Sequence, residues 1–201
     1  MGSLRGFHRF GSPATARTAD NDCHQLVPLS QAAAYGPLFS SGGWANPVDP
    51  EGENDNERWL RADDEVAEYA SARLPTDDLA VSFVYFDEGD VNAHNHGTGP
   101  DYMACIERRD ARLAMLLEAI ELRATRAHEE WTVIVVTDHG HLDEGGHGGD
   151  SDEERLAWMV ASGAGVPKHI TSLDHADIAV QVLTTFDISA DALSGVPFGQ
   201  R

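Results

Sequence analysis

The chain has 201 residues, 41% hydrophobic and 24% charged, the composition of a soluble globular protein with enough apolar material for one buried core. No apolar run approaches the eighteen or so residues of a membrane span, and Met1 to Phe10 lacks the hydrophobic centre of a signal peptide, so the expectation is a cytoplasmic chain without a membrane partner. With 34 acidic against 14 basic residues, a formal charge of -20 and Lys168 as its only lysine, the chain is a poor partner for bulk nucleic acid.

Residues 1 to about 35 show no sustained period of two or of 3.6, and Gly11-Ser12-Pro13 breaks them early; this N-terminal segment reads as irregular, ahead of one domain over 36–201. Pro37 to Trp44 reads as a short strand, and Asn46 to Asn56, rich in Pro, Gly, Asp and Glu, as a surface loop. Residues 57–73 set Trp59, Leu60, Val66, Tyr69, Ala70 and Leu74 at helical spacings with acids between them, which predicts an amphipathic helix. Leu79 to Phe86 is an almost continuous β-branched and aromatic run, as in a strand buried on both faces of a parallel sheet.

Tyr102 to Arg126 repeats apolar residues every three or four positions without Gly or Pro and predicts a long helix. Trp131 to Thr137 reads as a second buried strand, Leu156 to Ala161 as a third, and Leu173 to Phe186 as a closing helix. This alternation implies α/β layering, a mostly parallel sheet flanked by helices, with ligands bound just past the strand C-termini.

Chemistry gathers at those strand ends. Of ten histidines, His94, His96, His139, His141 and His147 follow the two strongest predicted strands, accompanied by Asp87, Asp90, Asp138 and Asp143. Carboxylate oxygens and imidazole nitrogens together suit Zn²⁺, Mn²⁺ and related ions, and the absence of thiolate partners argues against a structural zinc site. Cys23 and Cys105 have no second Cys or His at zinc-finger spacing and suggest no disulfide framework. Asp90 and His94 share a face if they lie on a helix, and His147 sits in Gly145-Gly146-His147-Gly148-Gly149, where glycines allow a close backbone approach.

The stretch Tyr85 to Gly97, followed by Gly99-Pro100, resembles the Tyr-x-x-x-x-Asp-x-x-x-His-x-x-Gly-Pro segment of type I phosphodiesterases and nucleotide pyrophosphatases, members of the alkaline phosphatase superfamily. Thr137-Asp138-His139-Gly140 resembles the family's Ser/Thr-Asp-His-Gly, Gly146-His147-Gly148 its last histidine ligand, and Asp177-Ile178-Ala179 with Val182-Leu183 its closing helix. The resemblance runs over roughly residues 37–199 and is strongest over 79–149.

It implies an alkaline phosphatase-like fold and two divalent metal ions, usually Zn²⁺, with Asp90, His94 and His147 at one ion and Asp138 and His139 at the other. It also implies a small phosphoester or nucleotide as substrate, attacked in line with the two ions stabilising attacking and leaving oxygens.

By the same resemblance, a first strand ending in a metal-binding Asp and then a Thr or Ser nucleophile at a helix start should come first. No such pattern is found; Thr15 and Thr18 have neither an apolar strand before them nor a helix start after them. The readings compatible with this are a truncated gene model, favoured by the patternless start and giving an incomplete sheet, a decayed gene, or a diverged metal-binding protein. A phosphoric ester hydrolase is therefore the first expectation, and a non-catalytic metal-binding or interaction protein the alternative.

Around these residues, His96 and His141 match no ligand position and read as neighbouring or surface histidines. Asp87, Glu88, Asp143, Glu144 and the run Asp150 to Glu154 read as solvated acids, and Asp110 as structural. The acidic, nearly lysine-free surface fits a protein kept soluble in high salt and equally a GC-rich genome that replaces Lys by Arg.

Overall fold

A computed structural model describes residues 56–78, 80–170 and 172–199, together with the backbone of two strands at 23–28 and 44–46. Thr15, Thr18 and the stretch 37–43 lie outside the described residues. In chain order the elements are β1 (Cys23–Pro28), β2 (Trp44–Asn46), α1 (Asn56–Arg73), β3 (Val81–Val84), α2 (Glu88–His96) and α3 (Pro100–Glu121). They continue with β4 (Thr132–Val136), the single turn α4 (Asp152–Arg155), β5 (Met159–Gly163) and α5 (His175–Thr185).

The described residues fall into two compact units: one takes in His128–His139 and the chain from Leu156 onward, the other the chain up to Ala127 together with Gly140–Arg155.

In the larger unit β2, β1 and β3 form a parallel sheet in that order, and α1 packs on its strands. β1 lies inside the segment expected to be irregular: Leu26-Val27 is too short an apolar signal to read locally, and its partner Val84 is nearly sixty residues away.

Helix α1 forms as its spacing predicts. Trp59, Ala62, Val66, Ala67 and Ala70 make its buried stripe, with Glu57 in the first turn and Arg73 in the last to match the helix dipole. Trp59 and Ala62 meet Val91 of α2 in a small apolar cluster. α3 opens on Pro100 and buries Cys105, Arg112, Leu116, Ala119 and Ile120, a three-to-four spacing on which Arg112 replaces an apolar residue. Past its end, the buried Arg123 donates to the carbonyl oxygens of Leu74 and, at 2.9 Å, Asp77, satisfying groups beyond the C-terminus of α1.

The smaller unit holds β4 and β5, which pair antiparallel from Thr132 opposite Gly163 to Val136 opposite Met159. The expectation of one mostly parallel sheet is thus corrected to a parallel three-stranded sheet and an antiparallel pair. A parallel partner needs a crossover element of a dozen or more residues packed on the sheet; between β4 and β5 the chain forms loop and one helical turn, which suffices to reverse direction. Nor are the strands buried on both faces: Phe83 is 47% exposed and Val136 39%, because an unbroken apolar run reports hydrophobicity but not what covers it. The closing helix α5 is present. Asp174 and Asp177 form a reciprocal capping box at its start, with the Asp174 carboxylate accepting from Ala176 at 2.9 Å and Asp177 from Asp174 at 2.9 Å.

Candidate metal centre

The first group of candidate ligands is set by how the chain leaves β3. Tyr85 donates its hydroxyl to Asp87 at 2.9 Å, and α2 then starts at Glu88, so Asp90 and His94 stand one helical turn apart, Nε2 to Oδ2 3.7 Å. The second contribution comes from the loop 140–149, in the same unit. It turns back on itself through Gly145 N–H to Leu142 O at 2.9 Å and Leu142 N–H to Gly146 O at 3.1 Å, and it is tied to the end of α2 by Thr98 N–H to Asp143 O at 3.0 Å. Gly145 has φ 99°, and a Cβ there would lie 2.3 Å from the Ala93 carbonyl oxygen, so this close approach of loop to helix requires glycine.

Its far end is pinned by Glu154, whose carboxylate accepts from Gly149 N–H at 2.7 Å and Ser151 Oγ at 2.7 Å. The Ser151 hydroxyl and the Gly149 amide hold the Glu154 carboxyl below the usual range. The sequence reads Glu154 as a solvated loop acid; the structure corrects this, because its fixed role inside a short loop has no periodic signature.

The result is a carboxylate ringed by imidazoles. Asp90 Oδ1 lies 2.9 Å from His141 Nε2 and 3.3 Å from His147 Nε2. The rings of His94, His141 and His147 stand 4.8 to 5.4 Å apart, centroid to centroid. One ligand atom from each of Asp90, His141 and His147 falls within 4.8 Å of the others. Donor atoms around a tetrahedral ion at about 2.0–2.2 Å sit roughly 3.3 Å apart, so both the nitrogen and oxygen chemistry and the spacing fit a divalent cation such as zinc.

His141 is therefore part of the cluster, although its place in the sequence matches no ligand of the resembled family; the gathering of histidines behind strands was the signal that included it. His96 is exposed, as expected of a surface histidine.

Asp138 and His139 lie in the other unit, directly after β4. Thr137 is bonded on both sides there: its N–H donates to Trp158 O at 3.1 Å, its Oγ1 accepts from Trp158 N–H at 3.1 Å, and its carbonyl oxygen contacts His175 Nε2 at 2.7 Å. The pair is thus delivered from a fixed residue, with His139 Nε2 3.8 Å from Asp138 Oδ1 and the Asp138 side chain 68% exposed.

Beneath α2, Glu88 is 1% exposed, Asp87 5% and Asp63 0%, where the sequence suggested solvated positions for Asp87 and Glu88. Burial is possible because arginines from α3 accompany them. Arg112 donates to Glu88 Oε2 at 2.7 Å, Asp64 Oδ1 at 2.9 Å and Leu60 O at 3.2 Å, and approaches Asp63 Oδ2 at 3.5 Å; Arg108 Nε donates to Glu88 Oε1 at 2.8 Å. Burial opposes the Glu88 charge, but the hydrogen bonds from Arg108 and Arg112 outweigh it and hold that carboxyl below the usual range. Burial pushes the Asp63 carboxyl up to about 7, against the pull of the Asp87 amide, Arg112 and the Glu88 amide. No helix among the described residues is long and apolar enough to cross a membrane.

The family model described as type I phosphodiesterase / nucleotide pyrophosphatase matches residues 11–157, a span that includes Asp90, His94, Asp138, His139, His141 and His147. No curated protein and no solved structure matches the chain.

Proposed function

This chain belongs to the type I phosphodiesterase / nucleotide pyrophosphatase family, and from that premise we propose that it is a divalent-metal-dependent phosphoric ester hydrolase acting on a small phosphoester or nucleotide. The observation that carries the reading is the convergence of Asp90, His141 and His147 beside His94. Asp90, His94 and His147 would hold one ion, with His141 in contact with the same carboxylate, and Asp138 and His139 would hold the other, each set lying within a single unit. Bound divalent ions supply Lewis-acid stabilisation of phosphoryl oxygens and favour an ionised nucleophile.

The chain's own residues do the rest by position. α2 presents Asp90 and His94 on one face. The Gly145 contact with Ala93 holds the loop that carries His141 and His147 against that helix, and Glu154 fixes the exit of the loop. The His141 contact with Asp90 orients both groups and fixes which ring nitrogen faces the carboxylate.

The test is metal binding followed by calorimetry, with Zn²⁺ and Mn²⁺ in turn, and hydrolysis of a nitrophenyl phosphodiester by the same sample. Chelator-sensitive turnover, with binding lost in His147→Ala and weakened in His139→Ala, is expected. Metal binding without turnover would leave a metal-binding protein in place of a hydrolase, and no binding at all would overturn the reading.

A further inference from the structure

Helix α2, which carries Asp90 and His94, has no cap of its own. Asp87 at the N-cap position makes no side-chain cap bond and is engaged by the Tyr85 hydroxyl instead. The missing acceptor comes from another helix: Asp63 of α1 takes the Asp87 N–H on Oδ1 at 3.0 Å and the Glu88 N–H on Oδ2 at 3.1 Å. Asp63 is fully buried, and Arg112 of α3 stands between it and Glu88, at 3.5 and 2.7 Å. Two helices thus grip the first residues of a third, and the gripped residues lie two and three positions before Asp90.

A carboxylate at a helix start is favourable in itself, through the free amides and the dipole. Its burial is not: a side chain placed there for stability alone could be any uncharged acceptor at lower desolvation cost. What the buried arrangement adds is a fixed place for α2 relative to α1 and α3.

We propose that Asp63 is a positioning residue for Asp90: by bonding the first two amides of α2 from α1, it holds the Asp90 carboxylate where His141 and His147 meet it. The inference rests on the reading of Asp90 and His147 as metal ligands. Asp63 bonds the Asp87 and Glu88 amides and not Asp90 itself, so it acts through the α2 backbone.

Asp63→Asn keeps the size of the side chain and one acceptor, and replaces the other with a donor facing an amide. Two readouts on the folded variant at pH 8 test it. In metal-free protein, the ring resonances of His141 and His147 should shift as their contact with Asp90 changes. Zn²⁺ affinity by calorimetry should fall by about 10- to 100-fold, the usual effect of a residue that orients a ligand. Asp64→Asn serves as control, because Asp64 meets the same Arg112 at 2.9 Å but makes no bond to the α2 amides, and it should leave both readouts unchanged.

Histidine resonances and affinity unmoved in a folded Asp63→Asn variant, or moved as far by Asp64→Asn, would overturn the inference while leaving metal binding standing. Failure of the wild type to bind Zn²⁺ would instead overturn the metal reading, and the resonances would still decide whether Asp63 places Asp90. Should Asp63→Asn not fold, the same coupling is measurable in the wild type, because linkage is reciprocal. Zn²⁺ should then slow hydrogen exchange of the Asp87 and Glu88 amides more than that of Ala119 in α3, and equal slowing would overturn the inference.

Discussion

Replacing Arg112 with Met removes a cation from between α1 and α2 while keeping most of its volume, and leaves Glu88 and Asp63 facing each other without it. The Arg112, Glu88 and Asp63 side chains are 3%, 2% and 0% exposed, so solvent cannot take over the lost hydrogen bond at 2.7 Å to Glu88 or the contact with Asp63, whereas the half-exposed Asp64 can turn to water. Breaking a buried pair by removing one partner costs roughly 3–5 kcal/mol, and because Glu88 keeps Arg108 the lower end applies, about 3 kcal/mol at pH 8.

At pH 6 the cost should shrink, since Asp63, with its carboxyl near 7, can take up a proton and shed its charge; the relief is about 1.4 kcal/mol per pH unit at most. The assay is urea unfolding in the presence of chelator, followed by Trp59, buried in α1, with Trp44, Trp131 and Trp158 changed to Phe. Arg108→Met is the comparison: its side chain is 39% exposed, and a loss of roughly 1 kcal/mol or less is expected. A loss below about 1 kcal/mol for Arg112→Met at pH 8 would refute the buried-charge argument, and equal losses at pH 6 and 8 would refute the role given to Asp63.

Asp63 by itself should also shape the pH dependence of folding. Its native carboxyl titrates near 7, above the ordinary range, so the native protein keeps a proton that the unfolded chain has already released; this stabilisation is present at acid pH and is lost as pH rises through about 7. The stability of Asp63→Asn relative to wild type, measured in chelator, should therefore rise by roughly 3 kcal/mol from pH 5 to pH 8, and a flat difference would exclude the shift.

Gly145→Ala should cost about 1–3 kcal/mol from backbone strain alone, and more because its Cβ meets the Ala93 oxygen at 2.3 Å. Gly146→Ala, at φ 83° with no atom nearer than 4.0 Å, carries only the strain, so Zn²⁺ titrations should rank Gly145→Ala as the weaker binder. Asp174→Ala should lower the stability of the smaller unit by about 1 kcal/mol through loss of the α5 cap, read from Trp131 fluorescence in a variant with the other tryptophans changed to Phe; an unchanged midpoint would show that the cap contributes nothing.

Local pattern carried much of this protein. The spacing of Trp59, Val66 and Ala70 is enough to make α1, because burying one stripe of a helix needs only that period; the same holds for α3. Asp90 and His94, four apart after an apolar run, could be set on one face only on the condition of a helix there, for which 88–96 offers no apolar period, while the Asp-His pair after β4 could be placed at a strand end. Two acids three and four residues after Val84 could not be judged by pattern: Asp87 and Glu88 look solvated until Arg108 and Arg112, some twenty residues on, prove to lie against them.

Residue type and short-range period, then, determined α1, α3 and α5, the ends of β3 and β4 and the candidate ligands, since those depend on neighbours along the chain. Long-range pairing decided the rest. Which strands pair and in which direction, that His141 reaches Asp90 across 51 residues, and that Asp63 caps a helix 24 residues away all depend on groups distant in sequence meeting in a buried place, where a charge persists only with its partner beside it.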